Sequence, residues 1–289
     1  MIMSQKKKSE ILQCCICQNN NHIKKFKKID NYEYVKCETC NMVFLSVDCL
    51  HSDSFYQDSK TSISSPKSLN NKHAIEYWSI PHLYEKHKSV FQYYFQERLS
   101  LMQKCGYKKG SLLDVGCGYG FFVDFCKKCQ IQANGIDVEK EQVAWGINNL
   151  NLDLKAISIE NYMPDSTFEA IIMADVLEHL WNPVEVLSKM KNILSEYGLL
   201  IIQVPNLLGF KLPPGNSWGP PHHLWQFSIN TLDRLLSKTG FQILLIQTGV
   251  LGIIGMYERG GPTLLEKIYI YSGKKLNIGN RLLMICKKV

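Results

Sequence analysis

The sequence nowhere holds the roughly 18 consecutive apolar residues that a membrane-crossing helix needs. Its richest apolar run, Phe241 to Tyr257, is broken by Gln242, Gln247 and Thr248, so no membrane span is expected. A secretory leader is not expected either. Lys6, Lys7 and Lys8 precede only a short, broken apolar run that ends in the polar Gln18 to Asn21 stretch, so a cytoplasmic location is expected. Arginine is also scarce. Only Arg98, Arg234, Arg259 and Arg281 stand among 33 basic residues, and a surface of lysine point charges lacks the guanidinium fork that phosphate and base recognition favours. A nucleic-acid partner is therefore disfavoured, although the net charge is +7. Charged residues make up 20% and hydrophobic residues 45%, which excludes low-hydropathy disorder for most of the chain. With 289 residues, one medium globular domain plus a small appendage is the expected organisation.

Charge and cysteine are both concentrated near the amino end. From Met1 to Lys28 seven lysines face Glu10 alone, a segment that reads as solvated surface or, alternatively, as a polyanion contact. Five of the 11 cysteines lie between Cys14 and Cys40. Cys14 and Cys17 form one C-x2-C, Cys37 and Cys40 another, with 19 residues between the pairs. That spacing suits a four-thiolate zinc site, in which each tight turn points two sulfurs at one tetrahedral ion. The alternation in "FKKIDNYEYVKC" suits a hairpin that brings the turns together. A redox C-x2-C is the competing reading, and Cys15 is an alternative ligand to Cys14. Cys126 and Cys129 share the spacing but fall in a predicted helix with no second pair in register, so they read as ordinary helix residues.

The polar, aperiodic segment Asp58 to Lys72 with Pro66 reads as a linker. Beyond it Tyr84, His87, Phe91, Phe95, Leu99 and Met102 recur at intervals of three and four, predicting an amphipathic helix over His82 to Cys105. From Ser111 the chain alternates apolar runs with helical stretches. Strands are expected at Ser111–Val115, Gln132–Asp137, Asp153–Ile157, Ala170–Met173, Gly198–Val204, Gln242–Thr248 and Arg281–Lys287, with helices between the first five and an antiparallel end to the sheet. These amount to an α/β, Rossmann-like, seven-stranded doubly wound sheet. The expected division is a zinc-ribbon-like module over 11–50, a linker over 51–80, and the α/β domain with an N-terminal lid helix over 81–289.

In "LLDVGCGYGFF", Leu112 to Phe122, a strand runs into a turn rich in glycine (Gly116, Gly118, Gly120) and then a helix. Such a turn lets backbone approach a ligand closely. A dinucleotide fold places a third glycine where this chain has Phe121, and Asp114 stands two residues before the first glycine. A carboxylate there would repel a pyrophosphate and attract the ammonium and sulfonium of S-adenosylmethionine. Asp137 closes the next strand, where its oxygens can accept hydrogen bonds from both hydroxyls of a ribose.

The segments "LLDVGCGYG", "GIDVEKEQVAWG" and "DSTFEAIIMADVLEHLWNP" resemble the successive motifs of class I S-adenosylmethionine-dependent methyltransferases, over roughly Gly110 to Phe241. The ribbon with "YVKCETCNMVFL" is similar to the zinc-binding lead-in of a bacterial subset that includes sugar and small-molecule methyltransferases. The resemblance implies that Gly116, Cys117, Gly118 and Gly120 embrace the methionine part, and that Asp137 with Val138 holds the ribose. It further implies that Ser158 and Ile159 flank the adenine, and that Ala174 and Asp175 lie at the methionine end.

Methyl transfer to a hydroxyl requires an aligned acceptor and a group to take its proton. Asp175, Glu178 and His179 share one face if a helix starts at once, and could supply a base. Ubiquinone-pathway O-methyltransferases resemble this stretch and carry acidic, acidic and His ligands for a divalent ion at matching positions. A bland alternative has Glu178 and His179 bracing the helix start. After the fifth strand, Trp218, His222, His223 and Trp225 follow Pro213 and Pro214 in a loop that could line the acceptor pocket, with His222 or His223 exchanging a proton. Ser228 is expected to cap the next helix, and Phe55, Tyr56 and Tyr84 could close the pocket as a lid. The expected activity is methyl transfer to oxygen or carbon of a small-molecule or sugar-containing acceptor. The rivals are an RNA methyltransferase using the Lys-rich start and a non-catalytic protein that only binds the cofactor.

Overall fold

In the computed structural model, residues 13–18, 21–46, 81–209, 218–249 and 262–289 are described. The segment expected as a linker, the aromatic pair Phe55 and Tyr56, Pro213, Pro214 and the first lysines lie outside them. The main sheet assembles from β4 (Leu112–Val115), β5 (Ala133–Asp137), β6 (Leu154–Ala156), β7 (Phe168–Ala174), β8 (Leu194–Pro205), β10 (Phe241–Gly249) and β11 (Arg281–Lys288). Their order across the sheet is β10-β11-β8-β7-β4-β5-β6. The strands from β8 to β6 pair in parallel, while β11 runs antiparallel to both β8 and β10. The near-continuous burial of β4 and β7 follows from packing on both faces of the sheet. Because β4 leads to β5 and β6 on one side and the chain then returns to β7 on the other, the sheet has its switch point between the ends of β4 and β7. A crevice for a ligand opens at such a place.

The helices are α1 (Pro81–Lys86), α2 (Lys88–Lys104), α3 (Phe121–Lys128), α4 (Lys140–Leu150), α5 (Pro183–Ile193), α6 (Ile229–Lys238) and α7 (Leu264–Lys275). The single helix expected over His82 to Cys105 is thus two. His87 leaves the helical region (φ −119°, ψ 29°) and its carbonyl accepts the amides of Val90 and Phe91, starting a second helix. The helix expected between the third and fourth strands is absent: residues 157–167, with Pro164, make turns instead. Tyr84 is fully buried, stacked 4.0 Å from Phe121 with its hydroxyl 3.0 Å from Asp124, so it is core and not a lid. The Ser228 cap forms as expected, a reciprocal box with Thr231 that directs Leu232, Leu235 and Leu236 of α6 inward.

A second sheet contains β1 (Ile23–Ile29), β2 (Tyr32–Cys37), β3 (Val43–Leu45) and β9 (Trp225–Gln226), in that order. The first two form the expected hairpin, turning at Asp30 in a left-handed conformation. β9 comes from the connection after β8, so the cysteine-rich segment and that connection share one sheet. They also share an apolar core in which Tyr34, Phe44 and Leu45 meet Trp218, Leu224 and Trp225.

Candidate active site

The turn after β4 is built for close approach. Gly116, Gly118 and Gly120 have φ of 77°, 54° and 79°, a region that side chains disfavour. A Cβ on Gly116 would stand 2.3 Å from Val176 Cγ2, so the β4 turn and the β7 exit touch at this point. The Gly118 amide donates to Asp137 Oδ2 at 2.7 Å and the Glu139 amide to Oδ1 at 2.9 Å. The carboxylate that ends β5 therefore fixes the glycine turn and keeps lone pairs for a ligand. Val138 is exposed beside it. Ser158 and Ile159 follow β6, the neighbour of β5, but the Ile159 side chain is buried in the apolar core.

A cavity of about 200 Å³ opens at the switch point, lined among others by Asp114, Gly116, Cys117, Ala174 and Asp175 from the strand ends and by Arg98 from α2. Asp114 is buried, and among the described residues no hydrogen bond to its carboxylate is made. Burial lifts its pKa to about 7, against the opposing pull of the Arg98 guanidinium and with a smaller push from Asp137. Arg98 Nη2 donates to Gln203 Oε1 at 3.2 Å, and Gln203 Nε2 donates to Asp175 Oδ2 at 2.9 Å. Arg281 Nε then stands 3.1 Å from Asp175 Oδ1. Asp175 itself sits at φ 55°, an uncommon conformation for a side-chain-bearing residue, where its backbone amide donates a hydrogen bond to Gln203 O at 2.8 Å. Arg98, Gln203 and Arg281 were not foreseen as site residues. The scarcity of arginine was a signal for two of them, but only the fold brings α2, β8 and β11 together.

The acidic and histidine groups after β7 assemble differently from the sequence expectation. Leu177–His179 is a 3₁₀ turn, so Asp175, Glu178 and His179 do not share an α-helical face. Asp175 pairs with Arg281 and Gln203. The side chains that bring ligand atoms within 4.8 Å of one another are Glu178, His179 and His223, which corrects the expected Asp175-Glu178-His179 ion site. Glu178 is fully buried with neither carboxyl oxygen hydrogen bonded, and burial raises its pKa well above the usual range. His179 Nδ1 lies 2.9 Å from the carbonyl of His222, which fixes Nδ1 as the donor and leaves Nε2 as an acceptor, 3.9 Å from Glu178 Oε1. Burial lowers the His179 pKa to about 4, so the ring is neutral at ordinary pH. Its ring centroid is 4.7 Å from that of His223. A carboxyl whose proton affinity is raised by burial thus faces a neutral imidazole, an arrangement that can pass a proton. None of Glu178, His179, His222 and His223 lines the 200 Å³ cavity.

Two further expectations are corrected. The helix after this turn is capped by Asn182, whose Oδ1 accepts the Glu185 amide, so Glu178 and His179 do not serve as its brace. Trp218 and Trp225 do not line the 200 Å³ cavity: both are buried against the cysteine-rich unit, Trp218 edge-on to Tyr34 at 4.9 Å and Trp225 beside Phe44 at 5.5 Å.

In that unit the sulfurs of Cys14, Cys17, Cys37 and Cys40 all lie within 4.8 Å of one another, with Cys14 and Cys40 at 3.3 Å and Cys17 and Cys37 at 3.8 Å. Bonds of about 2.3 Å to a central zinc would set the sulfurs roughly 3.8 Å apart, so the donor set fits such an ion. Burial raises the Cys14 pKa to about 11. At Cys37 burial pushes the same way, but hydrogen bonds from the Cys40 and Thr39 amides outweigh it and hold the thiol below its ordinary value. Cys15 is buried outside the group.

Residues 68–246 match the family model described as a methyltransferase domain. A probable S-adenosylmethionine-dependent methyltransferase of Mycolicibacterium smegmatis is 24% identical over 169 residues, 58% of this chain and 60% of that protein. A ubiquinone biosynthesis O-methyltransferase of Glaesserella parasuis is 29% identical over 106 residues, 33% of this chain and 45% of that protein. The chain thus spans less than two thirds of the curated relatives it matches. Among solved structures, an S-adenosylmethionine-dependent methyltransferase from Clostridium acetobutylicum superposes with a TM-score of 0.52 at 13% identity. That match covers 72% of this chain and 96% of the other.

Proposed function

Because the chain belongs to the class I S-adenosylmethionine-dependent methyltransferases, we propose that it methylates oxygen or carbon of a small-molecule or sugar-containing acceptor. The observation that carries the cofactor half is the Asp114 carboxylate. Buried, and with no hydrogen bond to it among the described residues, it stands beside a glycine turn in which Gly116 has no room for a side chain. Asp114 would hold the ammonium of the methionine end and Arg98 its carboxylate, a pairing that leaves neither charge stranded. Gly116, Cys117, Gly118 and Gly120 give the close backbone, Asp137 with Val138 takes the ribose, Ser158 and Ile159 border the adenine, and Ala174 and Asp175 flank the methionine chain. The bound cofactor supplies an electrophilic methyl on a sulfonium.

At the acceptor end, His179 or His223 takes the proton of an acceptor hydroxyl, with Glu178 and the His222 carbonyl setting the imidazole tautomer. Cys14, Cys17, Cys37 and Cys40 hold a structural zinc. The small-molecule reading is supported by a ubiquinone biosynthesis enzyme among the relatives and by the lysines of β1. Of these, Lys24 pairs with Glu38, Lys25 with Glu33, and Lys27 sits over Trp218, so they are not ranged to meet a phosphate backbone.

The test is incubation with methyl-labelled S-adenosylmethionine and a cell extract separated into RNA, glycan and small-metabolite fractions. Label is expected among the small metabolites or glycans. His179→Ala should lose most of that transfer while keeping its affinity for S-adenosylhomocysteine. Label confined to RNA overturns the acceptor assignment, and cofactor binding without any transfer overturns the enzymatic one.

A further inference from the structure

The loop that carries His222 and His223 is tied at both ends by one residue of the cysteine-rich unit. Tyr34 lies on β2, fully buried, and its hydroxyl stands 2.9 Å from the Trp218 carbonyl and 2.9 Å from the His223 carbonyl. One proton is thereby shared between two acceptors five residues apart, a bridge across the neck of the loop. The surrounding bonds extend the tie. Leu45 of β3 donates its amide to Leu224 O at 2.9 Å, and Leu224 donates its own amide to Glu178 O at 2.8 Å. The His223 amide closes the loop on Gly219 O at 2.9 Å, and Gln226 Nε2 reaches Trp218 O at 2.8 Å. A continuous path of hydrogen bonds therefore runs from the strands beside the cysteine cluster to the backbone of Glu178, and along it hang both histidine contacts of His179.

We propose that Tyr34 is a positioning residue for the acceptor end of the site: its hydroxyl clamps residues 218–223 so that His223 and the His222 carbonyl stay in contact with His179 and Glu178. Tyr34 touches no reacting group and acts through the loop. This assignment rests on the proton-handling role given to the Glu178, His179 and His223 cluster, and it assigns to the cysteine-rich unit a task beyond folding. A loop of this kind without the clamp would retain β9 pairing at one end and lose the fixed spacing at the other, and a displacement of about 1 Å between proton-handling groups is enough to slow a transfer about a hundredfold.

Tyr34→Phe removes the hydroxyl and little else. In full-length protein, hydrogen exchange at the amides of His223 and Leu224 should accelerate about tenfold, the net worth of a typical buried hydrogen bond. Zinc content and the affinity for S-adenosylhomocysteine should stay as in the wild type. Transfer of labelled methyl into the active extract fraction should fall in kcat, with KM for S-adenosylmethionine unchanged. Val35→Ala loosens the same strand without reaching the loop and should leave exchange at His223 and Leu224 as it was. Unchanged exchange in Tyr34→Phe, or an equal rise in both variants, overturns the proposal. Normal transfer by His179→Ala together with fast exchange in Tyr34→Phe would instead overturn the base assignment and leave the clamp standing.

Discussion

Cofactor affinity should depend on pH through Asp114, with a sign opposite to that of stability. In the free protein burial holds this carboxyl near 7, whereas an unfolded aspartate ionises near 4. The folded state therefore binds a proton that the unfolded state has released, and the contribution of Asp114 to stability falls as pH rises from about 4 to about 7. Binding the cofactor's ammonium reverses the preference, because the bound state needs the anion. With a free-state value near 7, about 9% of Asp114 is ionised at pH 6 and about 91% at pH 8, so affinity should improve about tenfold across that interval and level off above it. Calorimetry with S-adenosylhomocysteine in two buffers of different ionisation enthalpy reads both quantities. Proton release should fall from about 0.9 per site at pH 6 to about 0.1 at pH 8. The charged groups acting on Asp114 are Arg98 and Asp137, and an arginine keeps its charge throughout this interval. Asp137 is also raised, so Asp114→Asn is the control. It should bind about a hundredfold more weakly at pH 8, the cost of removing one partner of a buried charge pair, and lose most of the slope. A wild-type affinity that is flat from pH 6 to 8, or a variant that keeps the wild-type slope, would refute the reasoning.

Gly116→Ala sets a methyl 2.3 Å from Val176 Cγ2 at a φ of 77°, so it should cost about 1–3 kcal/mol in thermal or denaturant unfolding and weaken S-adenosylhomocysteine binding as the turn shifts. A stable variant of normal affinity would show that the turn has slack. Metal analysis should find about one zinc per chain, and Cys37→Ser should release it and lower the melting temperature. Full-length protein that holds no metal with all four cysteines intact would remove zinc from the cysteine cluster.

Periodicity and spacing carried much of this protein. Alternating apolar runs marked the seven strands, because a sheet covered on both faces needs near-continuous hydrophobic segments whatever surrounds it. Asp114 and the three glycines were legible together as one turn, because the left-handed backbone there admits few residues with a side chain and the acid stands near the end of the strand that leads into it. The gathering of the two C-x2-C pairs was legible too, since each pair sits on a tight turn that brings two sulfurs together locally. Arg98 was not legible. A helical arginine becomes a site residue only when packing turns its guanidinium toward Asp114, and no local pattern encodes that direction. The replacement of Asp175 by His223 beside Glu178 and His179 was hidden too, because a left-handed Asp175 and a 3₁₀ turn broke the spacing that a regular helix would have kept. Tyr34 and Trp225 looked like members of separate units, and only the tertiary structure made them one sheet. Bonds between segments nearly 190 residues apart depend on how the chain folds back, a matter of long-range packing on which short-range sequence is silent.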